Sequence, residues 1–337
     1  MACRKKNVRA IECGERGARA RVALTSLILL GAGAAFAQGY PAKSIRVVVP
    51  VAAGGTGDML ARFVADRLTD AFKQQAVVEN RAGANGIIGT EIVAKAPPDG
   101  YTIVVASAGN IAINPGLYGA KLPFDPERDL APVTQVANTT QILVVHPSVP
   151  AKTVKELIGL AKASPGKLDY VNAGNGSTPH LNMALFATMA GIKLNGIVYK
   201  GSTPGRVAVV AGETPLMVDG LMPSMPLIQS GRLRALGVTS LKRSPAMPDV
   251  PAIAETVPGY LGEIWYGVLA PAKTPGDIVN RLNGVIVAAL KNPDATARFA
   301  RQGADVVAST PAEFGDFIKR EIVKWARVIK EAGAKVD

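Results

Sequence analysis

Cysteine is missing from nearly the whole chain: the two it has, Cys3 and Cys13, both lie near the start. Everything that follows therefore lacks thiolate metal sites, disulfides and cysteine nucleophiles. Histidine is almost as scarce, with only His146 and His180. No acidic cluster stands at metal-ligand spacing, so neither a metal nor another cofactor is expected. Aromatic residues are 5% of the chain, and no basic run is longer than Lys242-Arg243 or Lys319-Arg320. A nucleic-acid surface needs a clustered basic stripe with aromatics between, so this partner is not expected either. Beyond the first 37 residues no apolar run reaches the roughly 20 residues that a spanning helix needs.

The first 37 residues read as a leader. Arg4, Lys5, Lys6, Arg9, Arg16, Arg19 and Arg21 precede the apolar run from Val22 to Phe36. Ala35-Phe36-Ala37 then places small residues where a signal peptidase reads them, which predicts cleavage before Gln38 and export to the periplasm. The stretch before Arg16 is long for a leader, which leaves a start further downstream open. Neither cysteine follows the apolar run, where a lipid anchor would need one, so a soluble, monomeric product is expected. The whole chain carries a formal charge of +12, and removing the leader's charges leaves about +7. A mildly basic surface favours a small anionic ligand through general steering.

The remaining 300 or so residues suggest two domains. Short β-branched runs alternate with amphipathic stretches, the pattern of an α/β protein with parallel sheets. The expected strands are Ile45–Pro50, Ala76–Glu79, Thr102–Ala106, Ile142–Val145, Leu168–Asn172, Gly196–Tyr199, Leu216–Val218, Leu233–Val238 and Tyr266–Ala270. Thr153-Val-Lys-Glu156 and Thr310-Pro-Ala-Glu313 are capping boxes, and Thr274-Pro275 opens a helix in the same manner. Phe314, Phe317, Ile318, Ile322, Trp325 and Ile329 recur at helical spacing as one buried face of a last helix.

A larger echo carries the chemistry. Val47-Val-Val-Pro-Val-Ala-Ala-Gly-Gly-Thr-Gly-Asp58 and Tyr170-Val-Asn-Ala-Gly-Asn-Gly-Ser-Thr-Pro-His180 each read as strand, glycine loop and helix start. Such a start leaves backbone N–H groups free at the positive end of the helix dipole, where an anion is favoured. A tight turn is the plainer reading of either loop alone; two matching loops, one per domain, suit the two ends of a dicarboxylate. Gly54–Asp58 is not a P-loop, because no Gly-Lys-Ser/Thr follows. Asp58 is expected to cap its helix or brace the loop. Ser177 lacks the G-x-S-x-G elbow of a nucleophile, and His180 is either a ligand donor or a helix-start residue. His146, before Pro147, reads as structural. Ser107, Asn110 and Asn114 follow a strand end, where α/β proteins gather ligands, though turn chemistry accounts for them equally. Lys200, after another strand, is either a ligand-facing charge or a solvated lysine.

These loops belong to a longer ordered set. It includes Val78-Glu-Asn-Arg-Ala-Gly-Ala-Asn-Gly86, Pro98-Asp-Gly-Tyr-Thr102, Ile113-Asn-Pro-Gly-Leu-Tyr118, Val198-Tyr-Lys-Gly201, Leu233-Arg-Ala-Leu-Gly-Val-Thr-Ser240 and Arg243-Ser-Pro-Ala-Met-Pro-Asp-Val-Pro251. From about Tyr40 onward the chain resembles the Bug family, periplasmic receptors of tripartite tricarboxylate transporters. The resemblance implies an α/β, type II periplasmic-binding-protein fold: two lobes, a hinge and an interlobe cleft. Lobe 1 is expected to span 38–139 and 251–337, and lobe 2 to span 140–250. The resemblance also implies that Ala53, Gly54, Gly55, Thr56, Gly176, Ser177 and Thr178 hold ligand carboxylate oxygens, with Ser107, Asn110 and His180 beside them and Asp219 lining the cleft. Pro215 and Gly220 depart from the family pattern. The implied activity is capture of a small carboxylate for membrane transporter subunits, without catalysis. A sensor that signals to a membrane kinase, and a hydrolase using Ser177, are the alternatives.

Overall fold

The computed structural model describes residues 39–332, so the leader and its cleavage site lie outside the described residues. The chain lays down β1 (Ile45–Val49), β2 (Ala76–Asn80), β3 (Thr102–Ser107) and β4 (Leu130–Thr139). It then forms β5 (Gln141–Val145), β6 (Asp169–Asn172), β7 (Asn195–Val198), β8 (Leu216–Gly220) and β9 (Arg234–Val238), and ends with β10 (Ile264–Pro271) and β11 (Ala304–Val306). These make two sheets, ordered β11-β4-β10-β3-β1-β2 and β7-β6-β8-β5-β9. The helices are α1 (Thr56–Phe72), α2 (Ile87–Ala94), α3 (Asn114–Tyr118), α4 (Pro126–Asp129), α5 (Val154–Ala163), α6 (Thr178–Ala190), α7 (Ser202–Ala211), α8 (Leu221–Gln229), α9 (Gly276–Leu290), α10 (Pro293–Ala300) and α11 (Pro311–Ala332).

Neither sheet is purely parallel, contrary to expectation. β1 runs parallel to β2 and β3, but β10 is antiparallel to β3 and β4. In the second sheet β6 is parallel to β7 and β8, whereas β5 is antiparallel to β8 and β9. The reason lies in the chain path. β5 follows β4 after Thr140 alone, and β10 is reached from the second sheet through residues 239–263. A strand arriving directly from the other half enters at the near end and runs away from it. The strands beside it end where it begins.

β4 and β11 were not among the expected strands. β4 mixes Pro132 with polar Thr134, Gln135 and Asn138, so it shows no apolar run, and Pro132 sits next to an irregularity in its pairing with β10. Proline in a sheet interior is confined to such places. The return to the first sheet also differs from the expected point near Val250. Ile253, Val257 and Tyr260 still pack with Leu143, Phe186 and Leu216 in the second sheet's core.

The second sheet shows why its strands read as continuous apolar runs. Along β5, Leu143 and Val145 enter one core cluster while Ile142 and Val144 enter the other. Successive side chains point to opposite faces, and both faces are covered by helices. The second capping box forms in full, with Thr310 and Glu313 exchanging bonds reciprocally. At the first, Thr153 Oγ1 accepts from the Glu156 amide, but the Glu156 carboxylate accepts from the Lys152 amide in place of Thr153's own. Thr274 differs: its hydroxyl donates to the Pro271 carbonyl, and Pro275 precedes α9 without a side-chain cap. On α11, Phe314, Ile318 and Ile329 are buried as expected, and Glu321 accepts from the indoles of Trp265 and Trp325.

Candidate functional site

The parallel strands β1, β3, β6, β7 and β8 end at one cavity, and β5 and β10 begin there. Pro50, Ser107, Ala173, Tyr199, Gly220, Gln141 and Ile264 mark those strand ends in its wall. The cavity volume is about 720 Å³, within the range of small-molecule sites. Loops that follow strand ends supply the rest of the lining, as α/β sheets dictate.

Four helices start in that wall. Their N-cap residues are Gly55 for α1, Ser177 for α6, Gly201 for α7 and Gly220 for α8, and all four line the cavity. Only Ser177 caps its helix with a side chain, accepting from the His180 amide at 3.4 Å. Among the described residues, the N–H groups of Thr56, Gly57, Thr178, Ser202 and Thr203 meet no protein acceptor, and these five residues all line the cavity. Helix-start amides in this condition attract a negative group.

The first loop is held from below. Asp58 Oδ2 accepts from the Gly54 amide at 2.9 Å and from Arg62, and its Oδ1 accepts from Asn80. Burial opposes ionisation there, but the bonds from Arg62, Gly54 and Asn80 prevail and hold the carboxyl below its usual range. Asp58 thus braces the loop. Gly54 takes φ +77° and does not line the cavity, nor does Ala53; Gly55, Thr56 and Gly57 do. Thr56 shares a side-chain hydrogen bond with Tyr266, whose hydroxyl is pushed up by burial and then by the nearby Asp219 charge.

The second loop closes on itself. Gly176 has φ +78° and donates its amide to His180 Nδ1 at 3.1 Å, so the ring faces the loop's backbone. Burial pushes the imidazole below its ordinary pKa, which suits an accepting, neutral nitrogen. Neither Gly176 nor His180 lines the cavity, whereas Ser177 and Thr178 do. The Nδ1 bond goes to Gly176 and not to the Ser177 hydroxyl, so the Ser–His pairing of a hydrolase does not form at this nitrogen.

Ser107 and Asn110 both line the cavity, but Asn110 is engaged inward. Its Oδ1 accepts from the Ser107 amide and hydroxyl, each at 3.0 Å, and its Nδ2 donates to the Asn85 carbonyl. Asn114 joins the same network through Asn85. Asp219 lines the cavity too, but its Oδ2 accepts from Arg206 Nε at 2.5 Å and Ser224 Oγ at 2.8 Å. That leaves Lys200 as the one cation in the lining; among the described residues it faces no carboxylate at ion-pair distance. Gly220 has a steric reason: a Cβ there would lie 2.1 Å from Thr56 Oγ1.

The α7 start escaped the sequence reading. Its signal was present, because Gly201-Ser202-Thr203-Pro204 repeats Gly176-Ser177-Thr178-Pro179 letter for letter. Tyr118, Tyr199, Gln141 and Tyr266 were missed as well, and nothing local in the sequence marks them as lining residues.

Residues 60–334 match the tripartite tricarboxylate transporter family receptor. The chain belongs to this family. The receptor is 37% identical over 302 residues to the protein BugT of Bordetella pertussis, a match covering 89% of this chain and 92% of that one. Among solved structures it is similar to Rpa4515 of R. palustris with adipate, at 38% identity and TM-score 0.85, covering 88% of this chain and 100% of that one. The periplasmic binding protein BugD follows at 33% identity and TM-score 0.83, covering 88% and 99%. MatC from Rhodopseudomonas palustris, with bound malate, matches at 29% identity and TM-score 0.80, covering 86% and 100%. The receptor therefore has the expected α/β, type II periplasmic-binding-protein fold, and its family is one of solute-binding proteins. Among the described residues no helix is long and apolar enough to cross a membrane.

Proposed function

We propose that this receptor captures a small carboxylate in the periplasm for a tripartite transporter. The carrying observation is the convergence of unsatisfied helix-start N–H groups on one cavity whose lining holds no uncompensated negative charge. Preorganised amides bind an anion without the desolvation penalty of a buried counter-charge. Lys200 adds positive potential, and the hydroxyls of Ser177 and Ser202 supply further donors. The carboxylates bound by the R. palustris relatives, adipate and malate, support this ligand class.

In this reading the two sheets define two lobes, and Thr140 and residues 261–263 are the crossings between them. Closure about those crossings buries the ligand and forms the surface that the transporter meets. Calorimetric titration with adipate, malate, succinate, citrate and glutamate tests the proposal. Saturable one-to-one binding of at least one is expected, weakened at least tenfold by esterifying a carboxyl group. Binding of the ester as tightly as the acid, or no binding by any of the five, would sink it.

A further inference from the structure

The first loop is gripped from two sides, and the second grip comes from a residue absent from the cavity lining. Arg206 lies on α7 with 11% of its side chain exposed, and Asp219, its partner at 2.5 Å, has 2% exposed. The outer nitrogens of the same guanidinium both reach the Gly54 carbonyl, each at 3.3 Å. One turn earlier on α7, Thr203 Oγ1 donates to the neighbouring Ala53 carbonyl at 2.9 Å. Two consecutive carbonyls of the first-sheet loop are thus held by one helix of the second sheet. The Gly54 amide is meanwhile held by Asp58.

This matters for anion binding because backbone carbonyls carry partial negative charge. Left unpaired beside the cavity, those of Ala53 and Gly54 would repel a carboxylate and let the peptide planes rotate. Held by Thr203 and Arg206, they stay turned away, and the amides of Thr56 and Gly57 remain free. Asp219 has a defined part as well. It orients the guanidinium and neutralises it, so that Arg206 is not itself a competing anion site. A planar fork is required, because one edge pairs with Asp219 while the other edge spans the gap to Gly54.

We propose that Arg206 is a positioning residue that clasps the Gly54 loop to the second lobe, with Asp219 as its support and Thr203 as its companion. It tunes carboxylate affinity without touching the ligand. The proposal rests on the carboxylate-capture reading for its functional consequence, but the clasp itself can be measured without ligand.

The decisive variant is Arg206→Lys, which keeps the ion pair with Asp219 but cannot also reach Gly54. Arg206→Gln with Asp219→Asn serves if that protein does not fold, since it leaves no unpaired buried charge. Spin labels at exposed Asp66 and Lys193, in an otherwise cysteine-free chain from residue 39 on, report the separation of the two halves. R206K is expected to keep the ligand-free melting temperature and to lower adipate or malate affinity about tenfold, the size of a lost charge-assisted hydrogen bond. It should also broaden the interlobe distance distribution. Unchanged affinity for a carboxylate that the wild type binds would overturn the clasp. If the wild type binds none of the five carboxylates, the functional reading falls by itself. An unchanged ligand-free distance distribution in R206K would then overturn the clasp independently.

Discussion

The same four residues, glycine, serine, threonine and proline, open two helices at the cavity and do different things in each. At residues 176–179 the serine is the N-cap and the helix begins with the threonine. At residues 201–204 the glycine is the N-cap and the helix begins with the serine, one position earlier in the motif. In the first case Ser177 caps the His180 amide and His180 returns a bond to Gly176, so the loop is self-contained. In the second case no side chain caps the helix, and Thr203 reaches instead for Ala53 across the cleft. The residues that follow decide the outcome: His180 folds back on its own loop, while Arg206 points to the first sheet. An identical local sequence serves as a rigid donor in one place and as a clasp in the other.

The largest expected break in that comparison is at the glycines. A Cβ on Gly176 would meet Leu117 Cδ1 at 2.3 Å at a φ of +78°, whereas one on Gly201 has room, with Ala52 Cβ at 3.9 Å, but a φ of +103° and ψ of 172° that only glycine adopts readily. Gly176→Ala should therefore cost about 3 kcal/mol of unfolding free energy, strain and clash together, and Gly201→Ala about 2 kcal/mol, from backbone strain alone. Chemical denaturation of the two proteins checks the order, and equal losses would contradict it.

A smaller contrast is expected at the serines. Ser177→Ala removes a cap and should lower stability by about 1 kcal/mol. Ser202→Ala removes none and should stay within about 0.5 kcal/mol of the parent. Equal thermal shifts would mean that the long 3.4 Å contact at Ser177 is not a functioning cap.

The smallest effect is a pH dependence that belongs to the Ser177 helix start and not to the Gly201 one. His180 is held below its ordinary pKa by burial. Its stabilising contribution is therefore complete above the unfolded value near 6.5 and is lost as pH falls toward the folded one. Protonation would also end the Nδ1 acceptance from Gly176. His180→Gln, which can still accept that bond, should flatten the stability difference between pH 7.5 and 5.5 relative to the parent. Identical pH slopes in the two proteins would rule this out.

How far the sequence could be read depended on whether each signal was local. The buried strands of the second sheet, the helix starts at Thr153 and Thr310 and the apolar face of α11 all rest on short-range rules, and they were legible. So was the first glycine loop, because the strand, glycines and helix start lie within about a dozen residues. β4 was not legible, since its burial comes from β10 and β11 on either side of it and not from its own composition. Among the site residues, Asn110 was expected beside the ligand, but Ser107 and Asn85 engage it inward; Asp219 was expected to line the cleft, and its pairing with Arg206 makes it a support there. His180 moved likewise, toward Gly176. Arg206 carried no signal at all, because an arginine on a helix is ordinary until a distant carbonyl stands opposite it.

By itself the sequence determined the α/β character, the family, the absence of cysteine from the described residues and the positions of the first two helix starts. These depend on periodicity, composition and neighbours a few residues away. Only the tertiary structure decided which amides stay free, which charges are neutralised and that a third and a fourth helix start share the cavity. Those outcomes depend on pairs such as Gly54 and Arg206, 152 residues apart, and hydrogen bonds and electrostatic pairing act over a few ångströms whatever the separation along the chain.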